Sequence, residues 1–205
     1  MERTMFMQII QGRVRDEQAA RAAMDRWLAD LEPGADGWLG GTYGITDDRM
    51  LVCCIRFESA EAARRNSERP EQGAWWSEME QCFEGEAMFH DCEDVTLLLN
   101  GGSDDAGFVQ IIQGRVTDRD KAHALNERAA EMMTKYRPDV MGATMAIDAD
   151  GFFTETVFFT SEDEARVGES KELPPEVSAA MQEDMSVLTD ISYLDLHHPW
   201  FASHR

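Results

Sequence analysis

Gln8-Ile9-Ile10-Gln11-Gly12-Arg13-Val14 occurs a second time, without change, as Gln110-Ile111-Ile112-Gln113-Gly114-Arg115-Val116, 102 residues further along the chain. The same spacing holds without a gap from Phe6 to Val95, where 21 of 90 positions are identical to their partners. Self-similarity at one fixed period indicates a duplicated structural unit. Because each copy has about 100 residues, the unit is the size of a domain rather than of a short solenoid repeat.

Both copies have the same predicted order of secondary structure. In the first copy, β-branched and apolar residues from Met5 to Val14 predict a strand, and Asp16 is placed to cap the helix that follows. A hairpin of two strands, further helical segments and a final strand come next. This β-α-β-β-α-β order predicts an α+β fold of two tandem ferredoxin-like repeats. We place them at residues 1–100 and 106–205, joined by a polar, glycine-rich linker at residues 101–105.

Apolar residues occupy both faces of the central strands. Val52 and Cys54 point to one face of the third strand, and Leu51, Ile55 and Phe57 point to the other. A sheet with helices on one side only would leave its second apolar face uncovered. We therefore expect the two sheets to pack face to face within one chain as a pseudo-dimeric α+β barrel. Such a protein would be a monomer or a dimer of fused units.

The connection after the third strand resembles that of a known superfamily in both copies. The segments Phe57-Glu58-Ser59-Ala60-Glu61-Ala62-Ala63 and Phe159-Thr160-Ser161-Glu162-Asp163-Glu164-Ala165 are similar to the strand-to-helix exit of the dimeric α+β barrel superfamily. This superfamily includes the antibiotic biosynthesis monooxygenase-like proteins. The resemblance covers nearly the whole chain and implies an eight-stranded barrel made by one fused chain. It also implies room for a ligand cavity between the sheet and the helices of each half.

Acidic residues dominate the composition, with 40 Asp and Glu against 19 Lys and Arg and a net charge of −21. Such a surface repels phosphate backbones and anionic lipid headgroups, so we predict neither a nucleic-acid nor a membrane partner. No apolar stretch approaches the roughly 20 residues of a membrane-spanning helix, and no signal peptide is visible. All four cysteines lie in the first copy without counterparts in the second, which disfavours a disulfide framework. These features predict a cytoplasmic protein with reduced thiols.

His90 is the first candidate for a ligand-binding residue, because it is the only histidine inside a predicted strand. It should share one face of that strand with Met88 and Cys92. If this face lines a cavity, His90 could shuttle a proton or bind a polar ligand. The alternative is a structural histidine whose hydrogen bonds are satisfied. Its partner at the 102-residue spacing is Ser192, so a site built on His90 would belong to one half only.

Polar residues in the strand that should be central are further candidates. Gln8 and Gln110, or Gln11 and Gln113, could donate hydrogen bonds to a ligand inside the barrel. The alternative is that these glutamines bond across the pseudo-two-fold interface. Arg56 is included because the two halves differ there, and Trp76 because an indole can offer an aromatic platform. The first half, which carries His90 and Trp76, is therefore predicted to hold the better pocket.

Metal and redox chemistry find little support in the sequence. Cys53 and Cys54 should point to opposite faces of a strand, and the second copy has Glu155 and Thr156 in their place, so inert buried thiols are favoured. The adjacent histidines at 197 and 198 are a poor chelate without further ligands, and the aromatic residues at 200 and 201 are expected to cover apolar surface. No phosphate-binding, dinucleotide-binding or hydrolase motif occurs. We predict no metal and no cofactor.

Two classes of function are left. The favoured one is a small-molecule-binding or otherwise non-catalytic α+β barrel, with a small apolar or aromatic ligand, because no catalytic constellation is visible. The alternative is a cofactor-independent monooxygenase acting on an aromatic or polyketide-like substrate. The sequence leaves open whether the protein is an enzyme.

Overall fold

The computed structural model describes residues 5–203 of the chain. It contains two five-stranded antiparallel sheets with helices, and the chain divides into two compact units. Within residues 5–203, the first unit comprises the chain as far as Asp94 together with the segment that begins at Trp200, and the second unit extends from Val95 to Pro199. The predicted α+β class with two ferredoxin-like repeats is confirmed. No helix within residues 5–203 is both long enough and apolar enough to cross a membrane.

The helices and strands follow the same order in both repeats. In chain order they are β1 (Phe6–Arg13), α1 (Glu17–Asp30), β2 (Trp38–Ile45), β3 (Met50–Phe57), α2 (Ala60–Ser67), α3 (Pro70–Met79), β4 (Met88–Cys92), β5 (Asp94–Leu98), β6 (Phe108–Val116), α4 (Arg119–Tyr136), β7 (Val140–Ile147), β8 (Phe152–Phe159), α5 (Glu162–Glu169), α6 (Pro175–Met185), β9 (Leu188–Leu196) and β10 (Trp200–Ser203). The strand orders are β10-β2-β3-β1-β4 in the first sheet and β5-β7-β8-β6-β9 in the second.

Side-chain hydrogen bonds cap the starts of α1, α2, α4 and α5, and the cap at Asp16 is the predicted one. Asp16 and Asp118 each accept a hydrogen bond, at 3.0 Å, from the backbone N–H three residues further on. Ser59 and Ser161 do the same at the starts of α2 and α5, at 3.2 Å. These bonds satisfy backbone donors that have no partner inside the helix. The repeated Asp and Ser residues therefore have the same structural role in each copy.

Two glycines that recur at the 102-residue spacing allow another segment of the chain to approach each sheet closely. The pairing of β2 with β3 is irregular next to Gly40, and the pairing of β7 with β8 is irregular next to Gly142. A Cβ atom at Gly40 would meet the carbonyl oxygen of Ala202 in β10, and one at Gly142 would meet the carbonyl oxygen of Gly101, which follows β5. The identity of these two glycines across the 102-residue period thus reflects a shared steric requirement.

The strands β4 and β9 pair with β1 and β6 in registers that differ by two residues from the 102-residue spacing. In the first sheet Ile9 of β1 pairs with His90 of β4, whereas in the second sheet Ile111 of β6 pairs with Leu194 of β9. The pairing of β6 with β9 is also irregular between Gln113 and Arg115, where β9 has one extra residue. The structural counterpart of His90 is therefore Leu194, and the expected correspondence with Ser192 is wrong.

Candidate ligand-binding site

A cavity lies between the sheet and the helices in each unit. Its volume is about 670 Å³ in the second unit and about 240 Å³ in the first. Sites for small molecules usually occupy roughly 300–1,000 Å³, so the second unit holds the better candidate. This differs from the expectation that the first half would hold it.

Tryptophan side chains account for the smaller volume in the first unit. Trp75 lies between Trp27 and Trp76, with ring centroids 6.4 and 6.0 Å away. Hydrogen bonds hold two of these rings in place, because the Trp27 indole donates to Gln72 at 2.6 Å and the Trp75 indole donates to the Ala23 carbonyl at 2.8 Å. The ion pairs Arg26–Glu78 and Arg128–Glu183 align α3 with α6 at a spacing of 105 residues. The equivalent residues of the second unit are therefore Ala129, Ala180 and Met181, all with smaller side chains. Space that indole rings occupy in the first unit is therefore open in the second.

Apolar side chains, many of them methionines, form most of the lining of the larger cavity. The methionines are Met132, Met133, Met145, Met181 and Met185. Their flexible, polarisable thioethers adapt to ligands of different shape and contact aromatic rings favourably. Met181 and Met185 are each 47% exposed and Tyr193 is 55% exposed, so the cavity is open to solvent on this side.

Two polar side chains enter this lining near the middle of the sheet. Glu155 of β8 is paired on one side with Ile112 of β6 and on the other with Met145 of β7. Asn126 of α4 donates its Nδ2–H to the Met145 sulfur at 2.9 Å. A thioether is a weak acceptor, so this bond satisfies the amide only weakly. Glu155 and Asn126 therefore meet the cavity around the same residue, Met145.

Sequence reasoning did not select either Glu155 or Asn126. Their counterparts at the 102-residue spacing are Cys53 and Met24, both buried in the first unit. The sequence did contain a signal for Glu155, because it is an ionisable residue in an otherwise uncharged strand and the other copy has a thiol at that position. Burial raises the pKa of the Cys53 thiol, which keeps it neutral.

An ion-pair network lies at another part of the cavity lining. Arg166 of α5 donates to Asp195 of β9, to Glu169 at 3.2 Å and to Glu162 at 3.2 Å. These bonds, that to Asp195 foremost, raise the pKa of the Arg166 guanidinium, so it stays charged. Gln110 donates to the same Asp195 carboxylate at 2.9 Å. The positive charge of Arg166 is therefore offset by carboxylates of the same unit.

Arg137 is the other arginine in this lining, and it too is paired with a carboxylate. Its Nε and Nη2 atoms donate to the two oxygens of Asp139 at 3.1 and 2.8 Å. Such a bidentate pair has favourable geometry and strength, and Asp139 is buried. A ligand anion would have to compete with these protein carboxylates for either arginine.

The described residues also bring one group of possible metal ligands together. Glu162, Asp195 and His197 have ligand atoms within 4.8 Å of one another, and His197 Nδ1 lies 2.6 Å from a Glu162 oxygen. Hydrogen bonding to His197 lowers the pKa of Glu162. However, the Arg166 guanidinium contacts both carboxylates and supplies the positive charge that an ion would bring. The group fits an ion-pair network and not a metal site.

The glutamines and the tryptophan selected from the sequence line the two cavities. Gln8 and Trp76 line the smaller one, and Gln110 lines the larger one. Gln8 donates to Asp91 at 2.8 Å, as Gln110 does to Asp195. Each amide group therefore bonds within its own sheet to the neighbouring strand. Whether these residues also bind a ligand stays a prediction.

Among the described residues, His90 and Arg56 line neither of these cavities. His90 pairs with Ile9, and successive residues of a strand point to opposite faces, so it lies on the other face from Gln8. The Arg56 guanidinium donates to the Ser203 hydroxyl at 3.5 Å, and one period later the chain has Phe158. A ligand-binding role for either residue stays a prediction without support from cavity geometry.

Fold and cavities together define a two-repeat α+β protein of the ferredoxin-like type. Its similarity to solved structures extends over the whole chain. A monooxygenase-like protein from Lactobacillus acidophilus has a TM-score of 0.73 at 12% identity, with 98% of this chain and 96% of that chain covered. Another from Fusobacterium nucleatum has a TM-score of 0.74 at 10% identity, with coverage of 100% and 98%. An anthrone oxidase-like protein has a TM-score of 0.69 at 11% identity, with coverage of 99% and 95%.

The predicted resemblance to the dimeric α+β barrel proteins of the antibiotic biosynthesis monooxygenase type is confirmed at the level of the fold. No protein-family model and no curated protein matches this sequence. At identities of 10–12% the similar structures identify a fold, and the chemistry has to be argued from the residues of this chain.

Proposed function

We propose that the protein binds a small apolar or aromatic molecule in the cavity of the second unit. The observation that carries this proposal is the open volume of about 670 Å³, lined by methionine and aliphatic side chains. Apolar surface transferred from water into such a site contributes roughly 25 cal/mol per Å². Because indole rings fill the equivalent space in the first unit, we expect each chain to bind one ligand.

A cavity-filling substitution tests the site directly. Ala129 is buried and lines the cavity, and Trp27 occupies the equivalent position of the first unit, so Ala129→Trp should fill the volume. The matched control is Ala124→Trp, which adds the same ring on an exposed position of α4. Binding of the neutral dye N-phenyl-1-naphthylamine, followed by fluorescence, should be lost in the first variant and kept in the second. Equal binding by Ala129→Trp and the wild type would place the dye elsewhere.

A second candidate function is a cofactor-independent monooxygenase acting on an aromatic or polyketide-like substrate. It is supported by the descriptions of the similar structures, one of which is an anthrone oxidase-like protein. The test is oxygen consumption with anthrone as the substrate, in protein treated with a chelator. Uptake that Ala129→Trp abolishes and Ala124→Trp retains would support this function. Uptake no faster than the protein-free rate would leave ligand binding alone.

We also propose a cytoplasmic protein, a monomer or a dimer of fused units, without nucleic-acid or membrane partners. Support comes from the net charge of −21 and from the free thiols of Cys53, Cys54, Cys82 and Cys92. Light scattering coupled to size exclusion measures the assembly, and fractionation of the host cell measures the location. A mass above that of two chains would contradict the assembly, and recovery outside the cytoplasm would contradict the location.

A further inference from the structure

The polar residues of the larger cavity indicate which chemical group its ligand carries, and this inference rests on the proposed function. We propose that Glu155 and Asn126 bind the hydroxyl group of a neutral, otherwise apolar ligand, and that the cavity discriminates against carboxylates. The two side chains reach the lining from different elements, β8 and α4, and they converge on Met145. They form a small polar site within an apolar surface.

The hydrogen-bonding capacities of these two side chains match those of a hydroxyl. An ionised carboxylate has about four acceptor positions, so Glu155 can accept a ligand O–H in addition to its existing interactions. The Asn126 amide has two N–H donors, one of which is directed at the Met145 sulfur. A ligand oxygen is a better acceptor than a thioether. A hydroxyl group supplies both the donor that Glu155 can accept and the acceptor that Asn126 can use.

The charges around the cavity disfavour an anionic ligand. Arg137 is paired with Asp139, and Arg166 is paired with Asp195, Glu162 and Glu169. A ligand carboxylate would have to displace one of these partners, and it would also meet the Glu155 carboxylate in the lining. Like charges in a partly desolvated site repel strongly. A neutral donor avoids both penalties.

The first unit is an internal comparison for this argument. Its smaller cavity has Cys53 in place of Glu155, and Met24 in place of Asn126. Neither side chain is a strong hydrogen-bonding group. The polar pair is thus present in the unit whose cavity is large enough for a ligand, and it is replaced in the unit whose cavity is filled by indole rings.

Three probes of nearly equal size separate the contributions of the apolar ring, of a hydroxyl group and of a negative charge. They are naphthalene, 2-naphthol and 2-naphthoate, each used to displace N-phenyl-1-naphthylamine from the full-length protein at pH 7. We expect wild-type protein to bind 2-naphthol at least about tenfold more tightly than 2-naphthoate. Glu155→Gln, which keeps the shape and removes the charge, should weaken 2-naphthol about tenfold and change naphthalene binding less than about twofold. Asn126→Leu should also weaken 2-naphthol selectively. Glu131→Gln, at an exposed position of α4, is the matched control for loss of one negative charge.

The outcomes distinguish this inference from the proposed function. If the dye and naphthalene bind but Glu155→Gln leaves the ratio of naphthol to naphthalene affinity unchanged, the hydroxyl site is overturned and the apolar site survives. Loss of naphthalene binding in Glu155→Gln would also overturn it, because Glu155 would then shape the cavity. Naphthoate bound as tightly as naphthol would overturn the charge argument. If neither the dye nor any of the three probes binds wild-type protein, the proposed function fails.

Discussion

Trp200, the first residue of the last strand, stacks on Tyr43 of β2 with ring centroids 5.9 Å apart and an interplanar angle of 25°. The Arg21 guanidinium of α1 lies over the same indole, 4.1 Å from the ring centroid. The last strand is thereby held against both the sheet edge and a helix of the first unit. The sequence predicted that Trp200 would cover apolar surface, and the structure makes it part of an edge strand.

Removing the Trp200 ring should destabilise the first unit. Trp200→Ala eliminates the stacking on Tyr43 and the contact with Arg21, and we expect a loss of about 2 kcal/mol in the free energy of unfolding. Trp200→Phe, which keeps an aromatic ring, should lose less than half of that. Urea unfolding followed by circular dichroism measures both. His198→Ala, at an exposed position, serves as a control, and a Trp200→Ala protein as stable as this control would contradict the prediction.

The steric role of Gly142 gives a prediction with an internal control. A Cβ atom there would overlap the backbone of Gly101, so Gly142→Ala should cost at least about 2 kcal/mol of stability. Gly73 lies in α3 with nothing within 4 Å of its Cβ position, so Gly73→Ala should stabilise by about 0.5–1 kcal/mol. Thermal unfolding of both variants measures the difference. A stable Gly142→Ala protein would show that the neighbouring backbone can move aside.

Acid should weaken the contacts around Glu162. Hydrogen bonding to His197 lowers the pKa of Glu162 below its ordinary value of 4.5 in the folded protein. A carboxylate with a depressed pKa stabilises the fold above its unfolded pKa, and this stabilisation is lost as the pH falls through its folded pKa. The stability of Glu162→Gln should therefore fall less steeply than that of the wild type below about pH 4.5. Because the pair is partly exposed, added salt should reduce the difference. Identical acid profiles for the two proteins would contradict the prediction.

The thiols should differ in reactivity according to their burial. Cys53, Cys54 and Cys92 are buried, whereas Cys82 is half-buried. Desolvation raises the pKa of Cys82, so its alkylation should be slow as well. We expect iodoacetamide at pH 8 to modify Cys82 first, with mass spectrometry locating the label. Cys82→Ser should then leave the folded protein essentially unlabelled, and early labelling of Cys53 would show that the smaller cavity opens readily.

Part of the candidate site was accessible from the sequence, and part was not. Gln110 was selected as a polar residue in a central strand, and it does line the larger cavity. Glu155 was visible only as a replacement for Cys53, and Asn126 carried no local signal at all. Their importance comes from meeting at Met145, and that proximity depends on how α4 packs on the two strands that follow it.

The sequence by itself determined the duplication, the order of the elements other than the unpredicted strands β5 and β10, and the starts of the capped helices. These features depend on short-range interactions, such as the hydrogen bond that the Asp16 carboxylate accepts from the backbone amide three residues further on. The residues that make them occur twice in the sequence, at a spacing of 102 residues. Only the tertiary structure decided which unit holds the open cavity and which residues line it. Cavity volume depends on how side chains from separate helices and strands fill one space. At equivalent positions, Trp27 reduces the volume of the cavity in the first unit, and Ala129 leaves the cavity in the second unit open.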